Sequence, residues 1–224
     1  MNLSNTKDFA NMSGFIRNLS CTLDSTLQKW FLCFGSLLKV ARRQPIGTDQ
    51  DIDIGVIGDP DKVTSMLDGT FIRSHQIIND ITGKPLKIVY ADSRTGISVD
   101  LFFWVKVGSI YYHCIDEDNT FNKDGHPKIY TFKGIPAYYL EPDPKVVESR
   151  IKDPKYKDSI KPNGTWEFYL NYMLPGEAVY MRVPYAVGHC LDDWYGEDWI
   201  IEKKNYGMSA SKHIKQMKSC KGLK

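Results

Sequence analysis

Trp30-Phe31-Leu32-Cys33-Phe34-Gly35-Ser36 is followed, about fifteen residues on, by Asp51-Ile52-Asp53-Ile54, and much later by Ile97-Ser98-Val99-Asp100-Leu101-Phe102-Phe103. Side chains alternate along a strand, so Asp51 and Asp53 share one face while Ile52 and Ile54 take the other, toward a core. Asp100 sits between Val99 and Leu101 in a second strand-like run. If the two strands lie near each other, three carboxylates converge. Like charges held together in a partly buried place repel, and a cation relieves that cost. A hard divalent ion with oxygen ligands, Mg2+ or in its place Mn2+, suits such a set and leaves room for substrate phosphates. Asp51, Asp53 and Asp100 are therefore the candidate metal ligands and catalytic carboxylates, with Asp49 as a fourth acidic group for a second ion or for an acceptor. The same Asp-x-Asp spacing arises by chance in turns; the apolar residues flanking each Asp argue against a solvated turn here.

The run from Trp30 reads as a strand ending at Gly35, and Ser36–Arg43 as a helix that opens on the Gly-Ser turn. A helix start presents backbone N–H groups and the positive end of the helix dipole, a ready place for phosphate. Gly35 permits close backbone approach and Ser36 adds a hydroxyl, so both are substrate-binding candidates. An ordinary capped turn has the same sequence. Arg42 and Arg43 follow on the helix, and either guanidinium suits a two-pronged grip on phosphate or an ordinary solvated face.

The order Gly-Ser, Asp-x-Asp and a later strand Asp resembles the nucleotidyltransferase superfamily. More narrowly, Phe34-Gly35-Ser36-Leu37-Leu38 through Arg42-Arg43, then Ile46-Gly47-Thr48-Asp49-Gln50-Asp51-Ile52-Asp53-Ile54, resembles the LicD and fukutin-related family. Val99-Asp100-Leu101-Phe102-Phe103-Trp104 is similar to that family's later acidic strand, and Val183-Pro184 with Leu191-Asp192-Asp193-Trp194-Tyr195-Gly196-Glu197-Asp198-Trp199 to its closing pattern. Gly47-Thr48 stand where Pro-Trp is usual, and Gln50 replaces the middle Asp of a triple. The resemblance implies a nucleotidyltransferase-like core. It also implies transfer of a phosphorylated alcohol, such as phosphocholine or ribitol phosphate, from a nucleotide-activated, CDP-linked donor to a glycan hydroxyl. Attachment of a nucleoside monophosphate to a small molecule or protein would use the same carboxylates, and a non-catalytic nucleotide-binding module is a third reading.

Periodicity gives a helix over 14–29, and a helix capped by Asp59-Pro60-Asp61 that runs to about Leu67. Strands are expected at Asp51–Ile57, Phe71–Ile81, Pro85–Tyr90, Ser98–Val105 and Ile110–Ile115. Tyr130–Phe132 and Ile135–Tyr139 read as a hairpin turning at Lys133-Gly134. The stretch 141–165, rich in Pro and charge, reads as a long excursion with a short helix near 144–151. The fold class expected is thus α+β, a mixed sheet with flanking helices and an irregular C-terminal region, in a single domain over residues 1–224. His189, Asp192 and Asp193 are candidates to line an acceptor pocket.

Five scattered cysteines without a Cys-x-x-Cys pair point to free thiols and a reducing compartment. With no signal-like start and no long apolar run, the expected location is cytoplasmic. Net charge is +2, yet residues 202–224 hold seven Lys and one Glu, leaving the rest acidic and a poor match for nucleic acid. That Lys-rich C-terminal tail reads as a solvated, frayed end, with weak contact to an anionic surface as its alternative.

Overall fold

The computed structural model of the protein describes residues 6–42, 44, 51–115, 121–141, 169–174, 177–201 and 213–223. It is an α+β fold: a mixed five-stranded sheet with flanking helices, joined to a four-stranded antiparallel sheet. The first sheet has the order β1-β2-β5-β4-β3, with β1 Lys29–Leu32, β2 Asp51–Ile57, β3 Ile72–Ile78, β4 Pro85–Ala91 and β5 Ser98–Phe103. Only the central β2–β5 pair in it is parallel; β1–β2, β4–β5 and β3–β4 are antiparallel. The connection from β2 to its parallel neighbour passes through helix α3, Pro60–Leu67, and the β3–β4 hairpin.

Alternation in β2, β4 and β5 divides this sheet cleanly. Ile52, Ile54, Ile88, Tyr90, Val99 and Leu101 are buried on one face. Phe71 bridges Tyr90 on that face to Phe15 of α1, Thr6–Ser25, with edge-on ring contacts at 6.4 and 5.8 Å. Helix α1 buries Phe15, Ile16, Leu19 and Leu23, the helical spacing seen in the sequence. Asp59 caps α3 by accepting a hydrogen bond from the Asp61 N–H, with Pro60 in the first turn. The opposite face carries Asp51, Asp53, Asp100, Phe102 and Lys87.

The second sheet has the order β11-β8-β7-β6, from β6 Val105–Val107, β7 Ile110–Ile115, β8 Tyr130–Pro136 and β11 His213–Met217. Two sequence expectations fail here. Lys133-Gly134 is not a hairpin turn: β8 runs straight through it, pairing with β7 on one side and β11 on the other, and Ala137–Leu140 is a short helix, α4. Gly134 serves closeness rather than turning, since a Cβ there would stand 2.6 Å from the Tyr112 ring. Nor is the end of the chain frayed where it is described. β11 is an edge strand on β8, Lys215 lies 4.4 Å from the Tyr112 ring centroid, and Cys220 and Leu223 are buried in a second core with Tyr130 and Phe132. Residues 202–212 of the tail lie outside the described residues, as do 142–165, including the expected helix near 144–151.

The expected irregular C-terminal region is also more ordered than its composition implies. β9 Tyr169–Leu174 and β10 Glu177–Arg182 form an antiparallel pair, and α5 spans Val187–Tyr195. Arg182 anchors that pair to α1 through a 2.8 Å ion pair with Asp24 and to β1 through a position over the Trp30 ring. Glu141 joins the two sheets by accepting from Lys29 at 2.6 Å and from the Tyr111 hydroxyl at 2.9 Å.

Candidate functional site

The carboxylate face begins with backbone register. Asp53 is the direct partner of Asp100 across the parallel β2–β5 pair, and Asp51 is the partner of Ser98. Neighbours across a parallel pair point the same way, so Asp51, Asp53 and Asp100 stand on one face, as the spacing predicts. Ile52 between the two aspartates is fully buried on the other. Asp51 lies at the exposed start of β2, while Asp53 is partly buried.

The Gly-Ser turn is folded directly onto Asp53. Strand β1 ends at Leu32 and helix α2 spans Phe34–Ala41, two residues earlier than the sequence suggests. The chain turns this sharply because Phe34 adopts φ +41°, a conformation that costs a non-glycine residue about 1–2 kcal/mol. Packing holds it there: the Phe34 ring meets Phe102, His113 and Trp194 with centroids 4.7–4.9 Å away. Ser36 then clasps Asp53 twice. Its N–H donates to Asp53 Oδ2 at 3.3 Å, and its hydroxyl oxygen accepts the Asp53 N–H at 2.8 Å. Cys33 N–H donates to the Asp53 carbonyl at 3.1 Å, closing the loop from β1 to β2. Ser36 is buried, and its N–H and hydroxyl oxygen both engage Asp53, which they position. Gly35 does mark a close approach, since a Cβ there would lie 3.2 Å from Asp53 Oδ2.

Electrostatics follow from this packing. Burial, then the charges of Asp51 and Asp100, push the Asp53 carboxyl up to about 7, against the opposing pull of the Ser36 N–H and Lys87. The same cluster acts on two neighbours, Cys33 and Tyr195. Cys33 is held well above the usual thiol range by burial and by Asp53 and Asp100. Tyr195, from α5, is pushed up by burial and then by Asp53 and Cys33. Lys87 of β4 is the third: its Nζ is 3.1 Å from Asp100 Oδ2, with both side chains largely buried. No motif marks a lone lysine in Pro85–Ala91; its relevance appears only once β4 is placed beside β5.

Other expected site residues have other duties. Arg42 donates from Nε to the Trp199 carbonyl at 2.7 Å and from Nη2 to the Ile201 carbonyl at 2.9 Å, with a further short Nη2 contact to Trp199. Its guanidinium ties α2 to the turn after α5. Asp192 accepts from Trp199 Nε1 at 2.9 Å, so it braces the same turn, and His189 stacks on Tyr139. Arg43 and Asp49 lie outside the described residues.

The donor set is all oxygen, it carries excess negative charge, and its central member is pushed up to about 7 by burial and then by its neighbours. Those properties fit a hard divalent cation. Among the described residues, no group of three or more His, Cys, Asp or Glu side chains is arranged so that it could hold a metal ion as it stands; Asp100 is engaged by Lys87, and Asp51 lies at the exposed start of β2. No helix among the described residues is long and apolar enough to cross a membrane. In comparisons with known proteins, the chain matches no family model and no curated protein.

Replacing Gly35 by Ala should separate site from fold. Ala favours the helix by up to about 1 kcal/mol over Gly, so melting temperature should hold or rise. The added methyl crowds Asp53 Oδ2 and should weaken divalent-cation binding roughly tenfold, equivalent to about 1.4 kcal/mol. Calorimetric titration of both proteins with Mn2+ checks this.

Proposed function

We propose that this protein is a metal-dependent phosphotransferase of nucleotidyltransferase type, moving a phosphorylated alcohol from a nucleotide-activated, CDP-linked donor to a glycan hydroxyl. The observation that carries the reading is the in-register pair Asp53–Asp100 on adjacent parallel strands, with the Gly35-Ser36 turn clasping Asp53. The sequence resemblance to the LicD and fukutin-related family supplies the substrate class. Asp51, Asp53 and Asp100 would hold Mg2+, or Mn2+, with Asp49 as a further ligand. Bound there, the ion neutralises charge on the donor's diphosphate and on the transferring phosphoryl.

The chain's own groups do the rest. Gly35 lets the donor's phosphates come close to the backbone at the head of α2. Ser36 fixes the Asp53 carboxylate. Asp100 orients the acceptor hydroxyl and takes its proton as the acceptor oxygen bonds to phosphorus. The bond from phosphorus to the nucleotide's bridging oxygen breaks, and the nucleoside monophosphate leaves with that electron pair. Tyr195 closes the site from α5.

The test is a binding screen of CTP-, UTP- and GTP-derived activated alcohols with Mg2+ or Mn2+, followed by 31P NMR and mass analysis of products with a glycan acceptor. The expected result is selective binding of one nucleotide class, release of its monophosphate and an acceptor heavier by the alcohol phosphate. An acceptor heavier by a nucleoside monophosphate would replace this reaction with nucleotidyl transfer. Tight metal-dependent binding without turnover on any donor would reduce the protein to a binding module.

A further inference from the structure

We propose that Lys87 is a built-in counter-ion of the carboxylate cluster: it holds Asp100 while the site lacks a cation and surrenders it when a divalent ion enters, thereby setting how tightly that ion binds. The inference rests on the reading that the cluster takes a divalent cation.

Register makes the contact a built one. Within the β4–β5 pair, Val89 stands opposite Asp100 and Lys87 opposite Phe102. Lys87 and Asp100 are therefore diagonal neighbours on one face, separations that long side chains span. The lysine stem runs along the sheet, its ammonium 5.1 Å from the Phe102 ring centroid and 3.1 Å from Asp100 Oδ2. The two side chains are only 14% and 18% exposed, so this is not a screened surface pair. Phe102 is itself clamped edge-on by Phe34, the residue that begins α2, so the aromatic floor under Lys87 and the turn that clasps Asp53 are one packed unit.

An ammonium in this place does two opposing things. It offsets part of the repulsion among three carboxylates, which stabilises the fold before any ion binds. It also occupies Asp100, one of the carboxylates that would hold a divalent ion, and an ammonium beside such an ion would repel it strongly in a partly buried site. A cation that needs Asp100 as a ligand must displace the lysine. The four-carbon stem allows that movement without disturbing the backbone. Lys87 is thus a positioning residue whose removal should improve ion binding while harming the ion-free protein.

The experiment titrates Mn2+ into wild type, Lys87→Met, Lys87→Gln and Asp53→Asn, by calorimetry and by loss of the free-ion signal in electron paramagnetic resonance. Thermal melts are run with and without Mn2+. The expected result is Mn2+ affinity raised about tenfold or more in both Lys87 variants. Their melting temperature should fall on the order of 5 °C without Mn2+, and saturating Mn2+ should restore it. Two neutral side chains of different polarity guard against one variant failing to fold. If wild type binds Mn2+, Asp53→Asn does not, and the Lys87 variants bind no more tightly than wild type, the counter-ion role is wrong and the cation site stands. If none of the four proteins binds Mn2+, the cation reading falls and this proposal with it.

Discussion

Asp53→Asn should lose turnover by on the order of 10²–10³-fold, the scale seen when one group that stabilises transition-state charge is removed, and should gain stability at the same time. Asn keeps the shape and can still accept the Ser36 N–H, so the β1–α2 turn should survive. The gain follows from linkage. In the folded protein the Asp53 carboxyl is pushed up to about 7, first by burial and then by Asp51 and Asp100. In the unfolded chain it titrates near the ordinary aspartate value of about 3.9. The folded state therefore holds the proton more tightly between roughly pH 4 and 7. A group of this kind contributes nothing adverse below the lower value and takes stability away as pH rises toward the upper one. Chemical denaturation should show wild type and variant alike near pH 3.5, with the variant more stable by on the order of a few kcal/mol at pH 8. Equal stability at pH 8 would mean that neither burial nor the neighbouring carboxylates disfavour the charged form of Asp53.

Deleting residues 213–224 should destabilise the protein by about 3–5 kcal/mol, lowering the melting temperature by roughly 10 °C. The deletion removes β11 from its full run of pairing with β8, from His213–Gly134 to Met217–Tyr130. It also strips Cys220 and Leu223 from the second core and the Cys220 N–H from Asp80, which accepts it at 2.8 Å. Burying one leucine is worth about 1.5–3 kcal/mol, and the exposed edge of β8 would be left unpaired. Hydrogen exchange should accelerate in Tyr130–Pro136 first. An unchanged melting curve would show that the C-terminal strand contributes nothing to the fold.

What the sequence made legible was what short-range periodicity encodes. Asp51 and Asp53 share a face because strands alternate, and Ile52 faces inward for the same reason. Asp59-Pro60 announces α3 through its own cap. The convergence of Asp100 was legible because apolar residues flank it on both sides. What stayed hidden depends on distant partners. β11 is short, with only Ile214 and Met217 apolar, and it is β8, some eighty residues upstream, that makes it a strand. Lys133-Gly134 has turn composition, yet the glycine is there because Tyr112 and Ile110 lie against it. Lys87 matters through the β4–β5 register, and Arg42 through carbonyls at Trp199 and Ile201. Phe34 is the clearest case: its left-handed backbone opposes local preference and is held by three rings from elsewhere in the chain.

The most direct test of the central claim is calorimetric titration of a CDP-linked alcohol into the protein at pH 8, with Mg2+, with excess chelator, and into Asp53→Asn with Mg2+. Saturable binding is expected in the first case and at least about a hundredfold weaker binding in the other two, a difference of roughly 2.8 kcal/mol. Binding of equal strength in all three would contradict it, because the donor would then be held without the carboxylates and without the ion they are built to take.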